Sequence, residues 1–290
     1  MRRVVGVLVP WCLALVLATG LGSAAAAGIP VFVSIPPQAY FVERLGGGRV
    51  AVEVLVEGAR SPHHFEATPR QVARLAKARA YFAVGIPFEG RLLAKVKASR
   101  PDLLVVETQK GIPCRAVEGD EGHGGGEGGC DPHTWLSPRL VKIQARNIHE
   151  ALVGLDPAGR RIYDANLAAF LAELDALDAR LARTLAPLRG RRIYVYHGAF
   201  GHFADAYGLV QVPVERGERE AGPRRLARLV AEARRDKVRA IFVQPQYPRR
   251  GAEAVAWAVG AEVVPLDPLA RDYAANLERM AAAVERGLRP

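Results

Sequence analysis

The stretch that decides the fold spans residues 156–188 and reads DPAGRRIYDANLAAFLAELDALDARLARTLAPL. Its apolar residues recur every three or four positions, which is the spacing of one face of a helix. The opening aspartate followed by proline is typical of a helix start. The pattern therefore predicts one helix of roughly thirty residues, about 45 Å long at about 1.5 Å per residue. A helix of that length can join two lobes.

On both sides of this helix, short β-branched runs alternate with amphipathic helical runs. The predicted strands before it are residues 31–34, 50–56, 80–84 and 103–106, and those after it are 193–196, 210–212, 240–243 and 262–265. Such alternation is typical of βαβ units around parallel sheets. We predict an α/β protein with two similar lobes of parallel sheet flanked by helices. The lobes would be residues 28–154 and 190–290, joined by one long backbone helix within residues 155–189.

The N-terminal 27 residues read as a signal peptide. Arg2 and Arg3 precede a mainly apolar run, which ends in a block of alanines at Ala27. The pattern predicts export and cleavage near Ala27, and hence a periplasmic protein without stable membrane insertion. The competing interpretation is a single membrane anchor, because the apolar run is close to spanning length. Cys12 lacks the residues that precede a lipid-modified cysteine.

The chain is basic, with 40 Lys and Arg against 30 Asp and Glu, a formal net charge of +10. A basic charge could favour nucleic acid or anionic lipid. The arginines, however, lie along helical segments without interleaved aromatic residues, as on a solvated helix face, so we predict no nucleic-acid partner.

Cys114 and Cys130 are the cysteines outside the predicted signal peptide. In an exported protein such a pair reads first as a disulfide.

Four segments place a metal-binding side chain at or just after the carboxyl end of a predicted strand or at the start of a helix. Ligands bind at that edge of open parallel sheets. The segments are SPHHFEATP at residues 61–69, DPHTWLSP at 131–138, YHGAFGHF at 196–203 and VPLDPL at 264–269. Each histidine alone could be a turn, cap or core residue. Together, neutral imidazoles and one carboxylate form a suitable tetrahedral set for Zn²⁺. A metal bound by both lobes would stabilise their closed arrangement.

At these segments the chain resembles the metal-binding solute receptors of ABC transporters for zinc and manganese, of the ZnuA and TroA type. The resemblance runs from SIPPQAY at residues 34–40 to VPLDPL, and DPHTWLSP is its most specific string. It implies two α/β lobes with a metal between them. It also implies a monomeric receptor, not an enzyme, that captures Zn²⁺ and delivers it to the permease of an ABC transporter.

Matched by position to this family, the metal ligands would be His63, His133, His197 and Asp267. His64 remains an alternative to His63 because the two are adjacent. An imidazole at His197 favours zinc, since Mn²⁺ prefers oxygen ligands, and a Mn²⁺ or Fe²⁺ receptor is the alternative. Because neutral imidazoles are required, the affinity should fall below about pH 6.5.

Several further expectations follow from the resemblance. Gln244 stands where relatives often carry glutamate. The segment 119–129 holds one histidine, His123, and is either a weak metal-collecting loop or flexible filler inside a disulfide. His149 and His202 are interpreted as structural or surface residues.

Two other classes of protein remain as alternatives. An exported zinc hydrolase would keep a coordination position open for water, whereas four ligands fill the shell, and the chain contains no His-Glu-x-x-His segment. An adhesin on the same fold is the other alternative.

Overall fold

The computed structural model describes residues 28–57, 60–117, 129–215 and 222–289. The predicted signal peptide at residues 1–27 and the histidine His123 lie outside these ranges. Among the described helices, none combines the length and the apolar character that crossing a membrane requires.

The N-terminal lobe is built on a parallel sheet of four strands in the order β2-β1-β3-β4. The strands are β1 Ile29–Val33, β2 Val50–Val54, β3 Ala80–Ala83 and β4 Leu104–Glu107. The helices of this lobe are α1 Pro36–Gly46, α2 Pro69–Leu75, α3 Pro87–Ser99 and α4 Pro138–Leu155. Each helix begins with proline, because the first turn needs no backbone N–H donor and proline already has a helical φ.

The C-terminal lobe repeats this arrangement with its sheet in the order β6-β5-β7-β8, again parallel throughout. The strands are β5 Arg192–Val195, β6 Val210–Pro213, β7 Ala240–Val243 and β8 Glu262–Pro265. The helices around it are α6 Gly201–Tyr207, α7 Pro223–Arg235, α8 Arg249–Val259 and α9 Tyr273–Leu288. The prediction of two similar α/β lobes is confirmed. In each sheet the first strand lies between the second and the third, so the order of the strands along the sheet reverses there and leaves a crevice at the carboxyl ends.

The long helix between the lobes is α5, Arg160–Leu185, with short 3-10 turns at Pro157–Gly159 and Ala186–Leu188 on either side. It packs against α1 and α4 of the first lobe and against α9 of the second. At its start, the carboxylate of Asp156 accepts hydrogen bonds from Arg49 and Tyr163, at 2.6 and 2.7 Å. These bonds lower the pKa of Asp156 to about 2. They tie the beginning of the long helix to the first lobe.

One apolar core runs through both lobes. Its buried members include Phe32 and Phe82 in the first sheet, Leu174 on α5, and Phe200 and Phe242 in the second lobe. A smaller cluster lies between the second sheet and the helices α7 and α8. Exposing a single buried Leu or Phe costs about 1.5–3 kcal/mol. We therefore expect the lobes to change their relative position only slightly, because a wide opening would expose this shared core.

Candidate metal centre

Three histidines from three separate loops meet between the lobes. His63 lies in a 3-10 turn after β2, His133 precedes the turn that leads into α4, and His197 follows β5. The Nε2 atom of His63 is 3.2 Å from Nε2 of His133 and 3.2 Å from Nε2 of His197. One nitrogen from each ring falls in a group whose atoms all lie within 4.8 Å of one another. The first lobe contributes two of these rings and the second lobe one.

The ring of His133 is oriented by the carboxylate of Asp131. Oδ1 of Asp131 accepts from Nδ1 of His133 at 2.7 Å and from its backbone N–H at 3.0 Å. Burial is the largest single influence on the pKa of Asp131 and raises it, but the hydrogen bonds and charge of His133, together with the charge of His202, outweigh burial and hold the pKa below its ordinary value. The guanidinium of Arg115 lies 3.5 Å from the other carboxylate oxygen. A proton on Nδ1 leaves the Nε2 lone pair of a neutral His133 pointing into the site.

His197 is oriented in the same way by the buried carboxylate of Glu215, which accepts a hydrogen bond from Nδ1 of the ring. Burial lowers the pKa of His197 well below its ordinary value, and the neighbouring His133 and His63 add to the effect. A neutral His197 therefore also directs its Nε2 lone pair into the site. Two lone pairs that converge without a hydrogen between them are suited to a cation.

His63 supplies the third nitrogen, and burial lowers its pKa to about 3, with the neighbouring His133 and His64 adding to the shift. His64 points outward and is exposed. The structure thus brings His63, and not His64, into the group. With low pKa values at His63 and His197, protons compete for these nitrogens only in more acidic solution than the sequence alone suggests.

The spacing of the nitrogens fits a tetrahedral zinc ion. A Zn–N bond of about 2.0 Å gives a tetrahedral edge of about 3.3 Å. This edge is close to the 3.2 Å from Nε2 of His63 to Nε2 of His133 and to Nε2 of His197.

The three imidazoles also separate two cavities. A small one of about 10 Å³ is lined by all three histidines with Gln246, Tyr247 and Leu269 among others. A larger one of about 410 Å³ lies beside the same rings and is bordered by Pro87, Pro213 and Glu215.

Asp267, the predicted carboxylate ligand, follows β8 and does not belong to the group of nitrogens within 4.8 Å among the described residues. Its Oδ1 accepts from Nε2 of Gln246 at 2.8 Å and from the backbone N–H of Leu269 at 2.9 Å. The next two residues, Pro268 and Leu269, line the small cavity with the histidines. Asp267 therefore lies close to the site, and its role as a ligand stays a prediction.

Two orienting carboxylates, Asp131 and Glu215, were not predicted to have a role. Asp131 stands two residues before His133, within the most specific motif of the chain. Glu215 follows β6 at the carboxyl edge of the second sheet. The rule that singled out the histidines, a polar residue just beyond a strand, would have found Glu215 as well.

Two cysteines and two further histidines of the described residues lie outside this group of nitrogens. Cys114 and Cys130 form a disulfide, as predicted. Next to it, the backbone N–H of Asp131 donates to the carbonyl of Arg115 at 2.7 Å, so the bridge holds the two chain segments together. His149 contacts Asp164 on α5, and Nε2 of the buried His202 lies 3.1 Å from the carbonyl of Asp131.

This fold and this site define a class of protein: a two-lobed receptor that holds a transition metal between its lobes. Residues 31–287 match the model of the family described as zinc-uptake complex component A, periplasmic, and the chain belongs to that family.

Individual relatives agree with this assignment. A putative metal-binding protein of Chlamydia muridarum is 30% identical over 256 residues, which is 87% of this chain and 89% of the relative. A crystal structure of ZnuA superposes with a TM-score of 0.84 at 40% identity and covers 90% of this chain and 99% of ZnuA. A ZnuA deletion mutant with zinc bound has a TM-score of 0.84 at 39% identity, covering 91% of this chain and 100% of that one.

Proposed function

We propose that this protein is an extracytoplasmic receptor that captures Zn²⁺ and delivers it to the permease of an ABC transporter. The observation that carries the proposal is the convergence of His63 and His133 of the first lobe with His197 of the second, where Nε2 of His63 lies 3.2 Å from Nε2 of each of the other two rings. The family of zinc-uptake components supports it.

Zinc would be bound by the three imidazoles and by Asp267 as the fourth ligand. Both hydrogen bonds to this carboxylate end on Oδ1, so Oδ2 is the oxygen that would bind the metal. The ion would then connect both lobes, while the shared core limits their closure. Binding stabilises the closed arrangement by the difference in affinity between the two states.

The ligand chemistry favours zinc over manganese. Imidazole nitrogens suit Zn²⁺, whereas Mn²⁺ prefers carboxylate, carbonyl and water oxygens. A Mn²⁺ or Fe²⁺ receptor is the second candidate of the same family. Affinity in solution follows the Irving-Williams order and favours zinc over manganese at such a site in any case. The metal content of protein isolated from its own compartment is therefore the decisive measurement.

The rest of the proposal concerns the state of the protein in the cell. After cleavage near Ala27 it would act as a monomer in the periplasm, without insertion in the membrane. It would bind zinc without catalysing a reaction, since four protein ligands leave no coordination position for the water that hydrolysis requires. Metal-dependent hydrolytic turnover by the purified zinc-loaded protein would contradict this part.

The test compares His133→Ala and His197→Ala with His149→Ala, whose side chain pairs with Asp164 away from the site. Zinc affinity is measured by competition with a chelator at pH 7. Loss of one ligand should weaken binding by more than about 100-fold, because changing an outer partner already costs about 10- to 100-fold. The His149 variant should bind as the wild type does. Equal affinities in all three variants would refute the proposed site.

A further inference from the structure

One short loop contains no candidate metal ligand itself, but it contacts three of the four segments that carry the candidate ligands. This loop, residues 244–247, connects β7 to α8 and reads QPQY. Building on the proposed function, we infer that it is the positioning element of the metal site. It sets the backbone of His197, the carboxylate of Asp267 and, through Ser61, the turn that carries His63.

Gln244 holds the backbone of His197 from both sides. Its Oε1 accepts from the N–H of His197 at 3.2 Å, and its Nε2 donates to the carbonyl of His197 at 2.7 Å. The side chain is 0% exposed. An amide side chain can accept and donate at once, which an ionised carboxylate or an apolar side chain cannot. A methionine of similar length would leave the N–H and the carbonyl of His197 without these two hydrogen bonds, and the position of the ring would no longer be held by the loop.

Gln246 acts on Asp267 and on the space beside the metal. Its Nε2 donates to Oδ1 of Asp267 at 2.8 Å, which leaves Oδ2 as the oxygen that would bind the metal. Its Oε1 is buried and has no hydrogen-bond partner among the described residues. Gln246 lines the cavity of about 10 Å³ shared with the three histidines, and a water needs about that much space. The geometry assigns Oε1 as the acceptor for a water held in this cavity beside the metal.

Tyr247 couples the two lobes. Its ring stacks on the imidazole of His197, with centroids 4.7 Å apart and planes inclined by 19°. Its hydroxyl lies 3.4 Å from Oγ of Ser61, and that Oγ accepts from the backbone N–H of His63 at 3.3 Å. A shift of the loop therefore moves a ligand from each lobe.

The experiment compares Gln244→Met, Gln246→Met and Tyr247→Ala with the wild type. The matched control is Gln38→Met. Gln38 is equally buried and also bridges two polar groups, Ser34 N–H and Thr108 Oγ1 at 3.0 and 3.2 Å, but it lines neither cavity beside the histidines. Zinc affinity is measured by chelator competition. The visible absorption of the Co²⁺-loaded protein reports the coordination geometry, which a loss of stability alone would not change.

The loop variants should weaken zinc binding by about 10- to 100-fold and alter the Co²⁺ spectrum. Tyr247→Phe keeps the stacking on His197 and should restore most of the affinity lost in Tyr247→Ala. Gln38→Met should lower thermal stability and leave affinity and spectrum unchanged. Gln246 is only partly buried, so its variant tests the inference even where Gln244→Met does not fold.

Two failures can be told apart. If Gln246→Met and Tyr247→Ala bind zinc like the wild type with the same Co²⁺ spectrum, while His133→Ala loses zinc, the positioning role is wrong and the receptor proposal stands. If His133→Ala binds zinc like the wild type, the proposed site itself is wrong. A control variant that changes the spectrum as the loop variants do would also overturn the positioning role.

Discussion

Glu215→Gln isolates the contribution of one buried charge to zinc affinity. Glu215 is 4% exposed and accepts a hydrogen bond from Nδ1 of His197. Glutamine has nearly the same size, and its Oε1 can still accept that bond, so the tautomer of the ring is kept. What the substitution removes is the negative charge on the far side of the ring from the metal.

The expected loss follows from the geometry of the ring. The carboxylate lies about 7 Å from a metal on Nε2, the sum of the hydrogen bond, the width of the imidazole and a Zn–N bond of about 2.0 Å. At an effective dielectric constant of about 20, charges of −1 and +2 at that distance attract by about 5 kcal/mol. Relaxation and solvent reduce this figure, and changes to such outer partners typically cost about 10- to 100-fold, or about 1.4–2.7 kcal/mol. We expect Glu215→Gln to raise the Kd for zinc by that factor.

The assay is chelator competition at pH 7, together with thermal unfolding of the metal-free protein. Glu253→Gln is the matched control, because Glu253 lies on the surface of α8 beside Arg249 and its loss changes the net charge equally. The metal-free Glu215 variant should be at least as stable as the wild type, since a buried charge has been removed. The reasoning is refuted if Glu215→Gln binds zinc as tightly as Glu253→Gln does.

Three more predictions concern acid, metal and disulfide. The lowered pKa values of His63, about 3, and of His197 mean that the unfolded chain gains protons there below about pH 6.5 that the folded metal-free chain does not. As the pH falls below that value, the free energy of unfolding should decrease by up to about 1.4 kcal/mol per pH unit for each histidine. In urea unfolding of His63→Gln, the free energy of unfolding should therefore depend less steeply on pH than in the wild type. An unchanged pH dependence would contradict this. Free zinc at about 100 times its Kd should stabilise the protein by about 2.7 kcal/mol, which corresponds to about 5–10 °C in Tm, and a chelator should reverse the shift in a thermal melt. Replacing Cys114 and Cys130 together by serine opens a loop with a sequence separation of 16 and should lower the free energy of unfolding by about 3 kcal/mol. Denaturant unfolding measures this change. Equal unfolding midpoints for the variant and the wild type would disprove the stabilising effect of the disulfide.

Much of the architecture could be predicted because its signals are local. Strands β7 and β8 begin and end where the sequence pattern places them. The apolar period of α5 defines its buried face, and proline marks the start of each helix of the first lobe. The segments that carry the candidate ligands were also found, since a polar residue directly after a strand lies at the edge of a parallel sheet where ligands bind.

By itself, the sequence determined the two-lobed α/β fold, the long helix between the lobes and the loops that reach the site. Only the tertiary structure decided that His63 faces the other imidazoles while His64 points outward, and that Glu215 meets His197. It also placed residues 244–247 against three ligand segments and turned Asp267 toward Gln246. The physical reason is that side chains in irregular loops take their direction from contacts with segments far away in the chain, and no local periodicity encodes those contacts.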